Sequence, residues 1–167
     1  MMPLKRRHAR EWAVQMLVAA DFNPDIDMTS MVPSLWDEIA EGLDAGEDES
    51  KLARQLREVP ASADGNLVAK LKFFAEERVV GVLKNCEKLD EALIPLLRED
   101  WTFDRLGMVE RAVLRLAAWE MTYSDVPAPI VINEAIDLAN WFGAPRSRSL
   151  VNGILDALRR KVSPDQK

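Results

Sequence analysis

The most apolar helical pattern in the chain is Val109-Glu110-Arg111-Ala112-Val113-Leu114-Arg115-Leu116-Ala117-Ala118-Trp119-Glu120-Met121. Apolar residues fall at helical spacing on two faces of this segment, and a helix that is apolar on most sides is surrounded by other helices. We therefore expect a central helix, extending from Trp101 to Tyr123, within an all-helical fold. Its Glu and Arg side chains are expected to lie in a buried polar network.

Two more helices are predicted after the central one. Pro127 and Pro129 interrupt the apolar pattern, and Pro129 suits the first residue of a new helix that ends at Gly143. Ser147 is a plausible N-cap for the last helix, because its hydroxyl can accept a hydrogen bond from an unpaired backbone N–H. Within that helix, Gly153 is expected to permit close approach of a neighbouring helix.

Four helices are predicted before the central one. The first runs from about Leu4 to Ala20 and is ended by Asn23-Pro24-Asp25. The second lies between Thr29 and Leu43, with Ser30 as its cap. The third begins at Asp64 or Asn66, and the fourth runs from Cys86 or Lys88 through Leu97, kinked or shortened by Pro95.

The segment from residue 42 to residue 65 has a weaker pattern than its surroundings. Glycine and proline interrupt it, and it contains an acidic run that includes Glu47, Asp48 and Glu49. Runs of like charge usually remain in water. We therefore expect one all-helical domain over residues 1–167, with a variable acidic insertion at about residues 42–65.

The first ten residues carry a concentrated positive charge. Of the 22 Lys and Arg residues in the chain, four lie here, and none of the 28 Asp and Glu residues does, so the rest of the chain has 18 basic and 28 acidic residues and a net charge of −10. A cationic end on an anionic body predicts one localised polyanion site. The alternative is a solvated terminus, in which Arg7 and Glu11 form an ion pair one helical turn apart.

A second basic pair, Arg146 and Arg148, precedes the last predicted helix. If the terminal helices pack side by side, both basic clusters face one groove; the alternative is ordinary surface charge. The adjacent Phe73 and Phe74 point in different directions on a helix, so at least one of them is expected to be exposed, where a nucleic-acid base can stack on it.

Several classes of protein are disfavoured by the residue inventory. The 167 residues include one cysteine and one histidine, Cys86 and His8, so a cysteine-based metal site has too few ligands. There is no glycine-rich phosphate loop or catalytic triad, and no apolar run approaches the roughly 20 residues of a membrane span. The sequence predicts a non-enzymatic, cytoplasmic protein without a cofactor or a metal.

Three stretches of the chain together resemble the NusB family of transcription antitermination factors. They are residues 7–17, residues 109–121, and the segment from Val126 to Asp156, which contains Ile132-Asn133-Glu134-Ala135-Ile136-Asp137-Leu138-Ala139 and Val151-Asn152-Gly153-Ile154-Leu155-Asp156. Their order and spacing fit the family. The resemblance implies two three-helix bundles packed against each other, which agrees with the all-helical pattern above.

The resemblance also implies a function. Members of the family bind single-stranded boxA RNA of ribosomal RNA operon transcripts as a heterodimer with the ribosomal protein NusE, in a complex with RNA polymerase. Carried over to this sequence, the resemblance predicts RNA contacts at Lys5, Arg6, Arg7, Arg10, Phe74, Arg146, Ser147 and Arg148.

The chain departs from the family pattern at three positions. Val18 and Leu150 stand where well-known members carry aromatic residues, and the loss of a base stack costs about 1–3 kcal/mol. Arg146 stands where some members carry an acidic or polar residue, and it favours RNA through phosphate attraction.

Two alternatives to the antitermination function are an accessory RNA-binding module related to ribosomal RNA methyltransferases and a homodimer that masks its RNA site.

Overall fold

The computed structural model describes residues 5–25, 27, 29–30, 32, 65–98 and 102–162. Across these ranges the chain forms no strand, and six α-helices have both ends described: α1 (Arg6–Phe22), α2 (Gly65–Lys84), α3 (Cys86–Leu93), α4 (Met108–Tyr123), α5 (Ala128–Phe142) and α6 (Ser147–Val162). The prediction of an all-helical fold is confirmed. The chain divides into two compact units, residues 1–80 and 81–167, and α2 contributes residues to both.

In the first unit, α1 buries one continuous apolar face. Helical spacing brings Ala9, Trp12, Ala13, Val14, Met16, Leu17 and Ala20 into the core. The helix ends at Asn23, whose backbone N–H donates to the carbonyl of Ala20 (3.1 Å) and whose side-chain amide donates to the carbonyl of Ala19 (2.9 Å). The predicted stop at Asn23-Pro24 is therefore correct to within one turn.

The second predicted helix lies largely outside the described residues. Thr29, Ser30 and Val32 are helical. The backbone N–H of Thr29 donates to a carboxylate oxygen of Asp27 at 3.2 Å. Ser30 is itself helical, so it is not the N-cap that the sequence suggested. The acidic insertion predicted at residues 42–65 also lies outside the described residues, except for Gly65 at the start of α2.

In the second unit, α4, α5 and α6 pack pairwise against one another and form a three-helix bundle, with α3 against α4 and α6. The central position predicted for α4 is confirmed, because Ala112, Val113, Leu114, Leu116, Ala117, Ala118, Trp119 and Glu120 are all buried. Close packing also involves Gly81: a Cβ atom at this position would overlap the indole ring of Trp119.

The start of α4 was predicted too early. The helix begins at Met108, because Gly107 has an extended backbone (φ −63°, ψ 156°) and Phe103–Arg105 forms a separate 3₁₀ turn. Phe103 in this turn and Leu106 directly after it are both buried. Their apolar spacing therefore resembled a continuation of the helix. The expected effect of Pro95 is confirmed: α3 stops at Leu93 and a 3₁₀ turn follows.

The polar network predicted on α4 joins it to neighbouring segments. Arg115 makes two hydrogen bonds to the carboxylate of Asp90 on α3, each 2.8 Å long, and its guanidinium lies 5.0 Å from the ring centroid of Phe103. Arg111 donates to the carbonyls of Asp104 and Leu106, both at 3.4 Å. A two-pronged Arg–carboxylate contact fixes geometry as well as charge, and here it ties α3 to α4.

Candidate nucleic-acid interface

The start of α1 is fixed by a local hydrogen-bond exchange between Lys5 and His8. Lys5 is the N-cap and has an extended backbone (φ −135°, ψ 167°). Its N–H donates to Nδ1 of His8 at 3.0 Å, and the N–H of His8 donates to the carbonyl of Lys5 at 2.9 Å. The sequence alone assigned no role to His8. Its position three residues after the N-cap is the one from which a side chain bonds back to the N-cap N–H.

The four predicted cations of this segment differ in accessibility. Lys5, Arg6 and Arg7 are exposed, whereas Arg10 is only 4% exposed. Arg10 faces the interior because the buried face of α1 begins at Ala9. The exposed cations therefore lie in the first turn, whose backbone is held by the two Lys5–His8 hydrogen bonds. Arg10 does not form part of the exposed surface.

Phe74 on α2 brings three arginines together within the first unit. Its ring centroid lies 5.3 Å from the guanidinium carbon of Arg6, 5.1 Å from that of Arg10 and 3.3 Å from that of Arg78. The negative face of an aromatic ring attracts cations at these distances. The resemblance predicted RNA contacts at Phe74 as well as at Arg6 and Arg10, and the structure brings these three side chains together.

Arg78 is the residue that sequence reasoning missed. It is 4% exposed, and its Nη1 donates to the carbonyl of Phe74 at 3.4 Å, one helical turn away. The available signal was the i, i+4 spacing of Phe74 and Arg78, which places both side chains on the same face of a helix. The neighbouring Phe73 is 65% exposed, which confirms that one member of the aromatic pair faces solvent.

The second predicted cluster lies at the start of α6, in the second unit. Arg146 and Arg148 are exposed, but Ser147 between them is only 2% exposed. The Ser147 hydroxyl donates to a carboxylate oxygen of Glu110 on α4. Ser147 is the first residue of α6 and not its N-cap. The Ser147 hydroxyl is therefore buried and hydrogen-bonded within the protein, so this hydroxyl does not face RNA as expected.

The approach to α6 is tight at Gly143, the residue that caps α5. A Cβ atom at this position would lie 2.6 Å from both the carbonyl oxygen of Ala139 and the hydroxyl oxygen of Ser147. Glycine is therefore needed for the chain to turn from α5 into α6 while Ser147 reaches Glu110. The predicted end of α5 at Gly143 is confirmed.

A shallow groove of about 430 Å³ lies beside the Arg146 end of α6. Two cations and mainly apolar side chains line it: Leu96, Leu97, Arg98, Arg146, Ser149, Leu150, Gly153 and Ile154. Gly153 is exposed, and a Cβ atom there would meet nothing within 4 Å. The expectation that Gly153 permits close helix packing is therefore wrong. That both basic clusters face one groove remains a prediction.

The described residues hold neither a candidate metal site nor a membrane-spanning helix. Within the ranges that the structure describes, no group of three or more His, Cys, Asp or Glu side chains is arranged to hold a metal ion. No helix in those ranges combines the length and the apolar character needed to cross a membrane.

Comparison with known proteins identifies the family. The NusB family model matches residues 7–160. The transcription antitermination proteins NusB of Nitratidesulfovibrio vulgaris and Bacillus licheniformis are each 35% identical to this chain, over 158 and 157 residues, which cover 94% and 93% of it and 88% and 97% of those relatives. Both relatives are named as transcription antitermination proteins, in agreement with the predicted non-enzymatic function.

Solved structures share the fold along nearly the whole chain. T. maritima NusB has a TM-score of 0.69 and 27% identity, covering 96% of this chain and 94% of that one. A chain from the crystal structure of antitermination factors NusB and NusE in complex with dsRNA has a TM-score of 0.65 and 22% identity, covering 93% and 96%. From the family match, the relatives and the shared fold, we conclude that the chain belongs to the NusB family of transcription antitermination proteins.

Proposed function

We propose that this protein binds boxA-like single-stranded RNA of ribosomal RNA operon transcripts, together with a NusE-like ribosomal protein, as part of an RNA polymerase antitermination complex. The single observation that carries the RNA-binding part is the first turn of α1, where Lys5, Arg6 and Arg7 are exposed on a backbone fixed by His8. A cytoplasmic location follows from the same proposal.

Three cations on one turn suit the RNA backbone because their spacing is set before binding. Guanidinium groups form paired hydrogen bonds with phosphate oxygens, and each neutralised phosphate releases counterions. Outside its first ten residues the chain has a net charge of −10. Repulsion from this body disfavours other orientations of a polyanion, so the first turn of α1 is the favoured point of contact.

The start of α6, in the second unit, carries a second set of cations that we also assign to RNA binding. Arg146 and Arg148 are exposed, and the Ser147–Glu110 hydrogen bond fixes the backbone between them. We assign Arg146 and Arg148 to phosphate contacts and Ser147 to holding them in place. The NusE partner is supported by the similar fold found in a complex of NusB with NusE and dsRNA.

The test is a titration of fluorescent boxA RNA at several salt concentrations, with and without NusE. Replacing Arg6 and Arg7 by Ala should weaken binding by roughly 10- to 100-fold and reduce the slope of log K against log salt by about 0.7 for each lost phosphate contact. Lys161→Gln, which removes an exposed cation from the last turn of α6, is the charge control and should have little effect. An unchanged affinity and slope for the Arg6 and Arg7 variant would refute the proposal.

A further inference from the structure

Burial separates the three arginines around Phe74 into two classes. Arg6 is exposed, whereas Arg10 and Arg78 are each 4% exposed. A phosphate group approaching from solvent therefore reaches the guanidinium of Arg6 directly and those of Arg10 and Arg78 only if side chains move. Arg10 and Arg78 can therefore influence a bound phosphate only through their effect on Arg6, the residue that the phosphate contacts.

Arg78 has the geometry to exert such an influence. Its guanidinium carbon is 3.3 Å from the centroid of Phe74, which is the distance of a stacked contact, and its Nη1 is hydrogen-bonded to the carbonyl of the same residue. These two contacts restrict both the Arg78 side chain and the ring. The ring centroid also lies 5.3 Å from the guanidinium carbon of Arg6, so Phe74 stands between Arg78 and the exposed cation in one chain of contacts.

Electrostatics acts in the same direction. All three guanidinium carbons lie within 5.3 Å of one centroid, so no two are separated by much more than the Debye length, about 10 Å at 0.1 M salt. Charges that are buried are screened less by salt than exposed ones. The potential at Arg6 is therefore raised by neighbours that ions in solution do not fully screen, which favours an anion there.

We infer that Arg78 is a positioning residue of the RNA-binding surface, which acts with Phe74 to orient the exposed Arg6 toward RNA phosphate and to raise the positive potential around it. Phe74 then serves as the support of an arginine cluster, and not as a stacking surface for a base. This inference rests on the proposed function, since it assigns a role within the same RNA site.

A double-mutant cycle tests the inference, with boxA RNA as the probe. Arg78→Met keeps much of the side-chain volume and removes the charge; we expect it to weaken binding about 3- to 10-fold, within the range of a partly desolvated cation–π contact. Because Arg78 does not touch phosphate, the salt slope should stay within about 0.2 of the wild-type value, whereas Arg6→Ala should lower it by about 0.7. In the Arg6→Ala background, Arg78→Met should change affinity less than about 1.5-fold.

Two further variants keep the test decisive. Phe74→Leu preserves an apolar side chain and removes the ring, and it should reproduce the effect of Arg78→Met and its dependence on Arg6. Arg78→Lys retains the charge without a planar group that stacks, so it should give an intermediate affinity. Circular dichroism confirms folding, and if Arg78→Met does not fold, Phe74→Leu and Arg78→Lys complete the same cycle.

The outcomes separate this inference from the proposed function. If Arg6→Ala leaves affinity unchanged, the proposed RNA site is wrong. If Arg6→Ala weakens binding but folded Arg78→Met and Phe74→Leu bind like the wild type, only the role of Arg78 is wrong. Equal effects of Arg78→Met with and without Arg6 would also overturn it, because Arg78 would then act independently of the exposed cation.

Discussion

The first turns of α1 and α6 carry the same kind of charge but are stabilised in different ways. Neither contains an acidic residue, and each has arginines where the positive end of the helix dipole disfavours cations by about 0.3–1 kcal/mol per charge. At α1, His8 caps the helix, and Phe74 gathers Arg6 with two buried arginines. At α6, a buried serine bonded to Glu110 anchors the backbone.

Exposed cations at the start of a helix need a separate source of order. In α1 that order comes from contacts to the cations themselves, since the ring of Phe74 touches Arg6. In α6 it comes from the neutral residue between the cations, Ser147. Mutations at α1 should therefore affect RNA binding more than stability, and mutations at the anchor of α6 should affect stability more than binding.

The largest expected effect is on the anchor of α6. Gly143→Ala places a Cβ atom 2.6 Å from a backbone carbonyl and from Ser147, so the turn must shift, and we expect a loss of about 2 kcal/mol, or roughly 4–8 °C in Tm. Gly153→Ala is the matched control: its Cβ meets nothing within 4 Å, and alanine should stabilise the helix by about 0.5–1 kcal/mol. Equal Tm values for the two variants would contradict the described packing.

Removal of the anchoring hydroxyl should have the next largest effect. Ser147→Ala leaves the Glu110 carboxylate without this donor and should cost about 1–2 kcal/mol in a chemical denaturation experiment. Ser149→Ala is the control, because that hydroxyl is exposed and donates to the carbonyl of Arg146 at 3.2 Å, on its own helix start. The salt slope of RNA binding should be the same in both variants. A reduced slope for Ser147→Ala would mean that the hydroxyl or its neighbours contact phosphate.

A smaller change in stability is expected at the cap of α1. His8→Ala removes the acceptor for the Lys5 N–H and should cost about 0.5–1 kcal/mol, measured as faster amide exchange in the first turn. RNA affinity should fall about 2- to 3-fold, because Lys5, Arg6 and Arg7 lose their fixed spacing. His8→Gln provides an acceptor at the same position and should recover both properties; no recovery would show that the cap is not the cause.

The smallest stability change has the opposite sign. Arg148→Glu replaces a cation by an anion in the first turn of α6 and should raise Tm by about 1–3 °C through the helix dipole, while RNA affinity falls. Lys161→Glu makes the same charge change in the last turn of α6, where an anion is unfavourable, and should lower Tm. If Arg148→Glu raises Tm without weakening RNA binding, Arg148 does not belong to the RNA surface.

Local signals predicted most of the fold. Pro95 and Gly143 ended α3 and α5 near the expected positions, because proline and glycine act on the backbone of their own turn. The start of α4 was missed because Phe103 and Leu106, in and after a 3₁₀ turn, are also buried. In the sequence, two apolar residues three positions apart look the same whether they belong to a 3₁₀ turn or to an α-helix.

The candidate site was less predictable, since its details depend on contacts between segments. The exposed positions of Arg6 and Arg146 followed from charge, but the burial of Arg10 follows from the face of α1 on which it lies. Ser147 was assigned to the ligand surface by the family resemblance, and its partner Glu110, 37 residues away, left no local signal to the contrary. The contact of Arg78 with Phe74 was within reach of the i, i+4 rule, yet an arginine that directly follows Glu76 and Glu77 resembled ordinary surface charge.

The overlap of a Cβ atom at Gly81 with the Trp119 indole has a consequence for inherited variation. Every single-base change of a glycine codon that is not synonymous gives a stop or a residue that carries a Cβ, so no single missense mutation at position 81 escapes the clash. The open space at Gly153 imposes no such restriction. Populations carrying this gene should therefore accumulate replacements at position 153 while purging those at position 81, although the same amino acid occupies both.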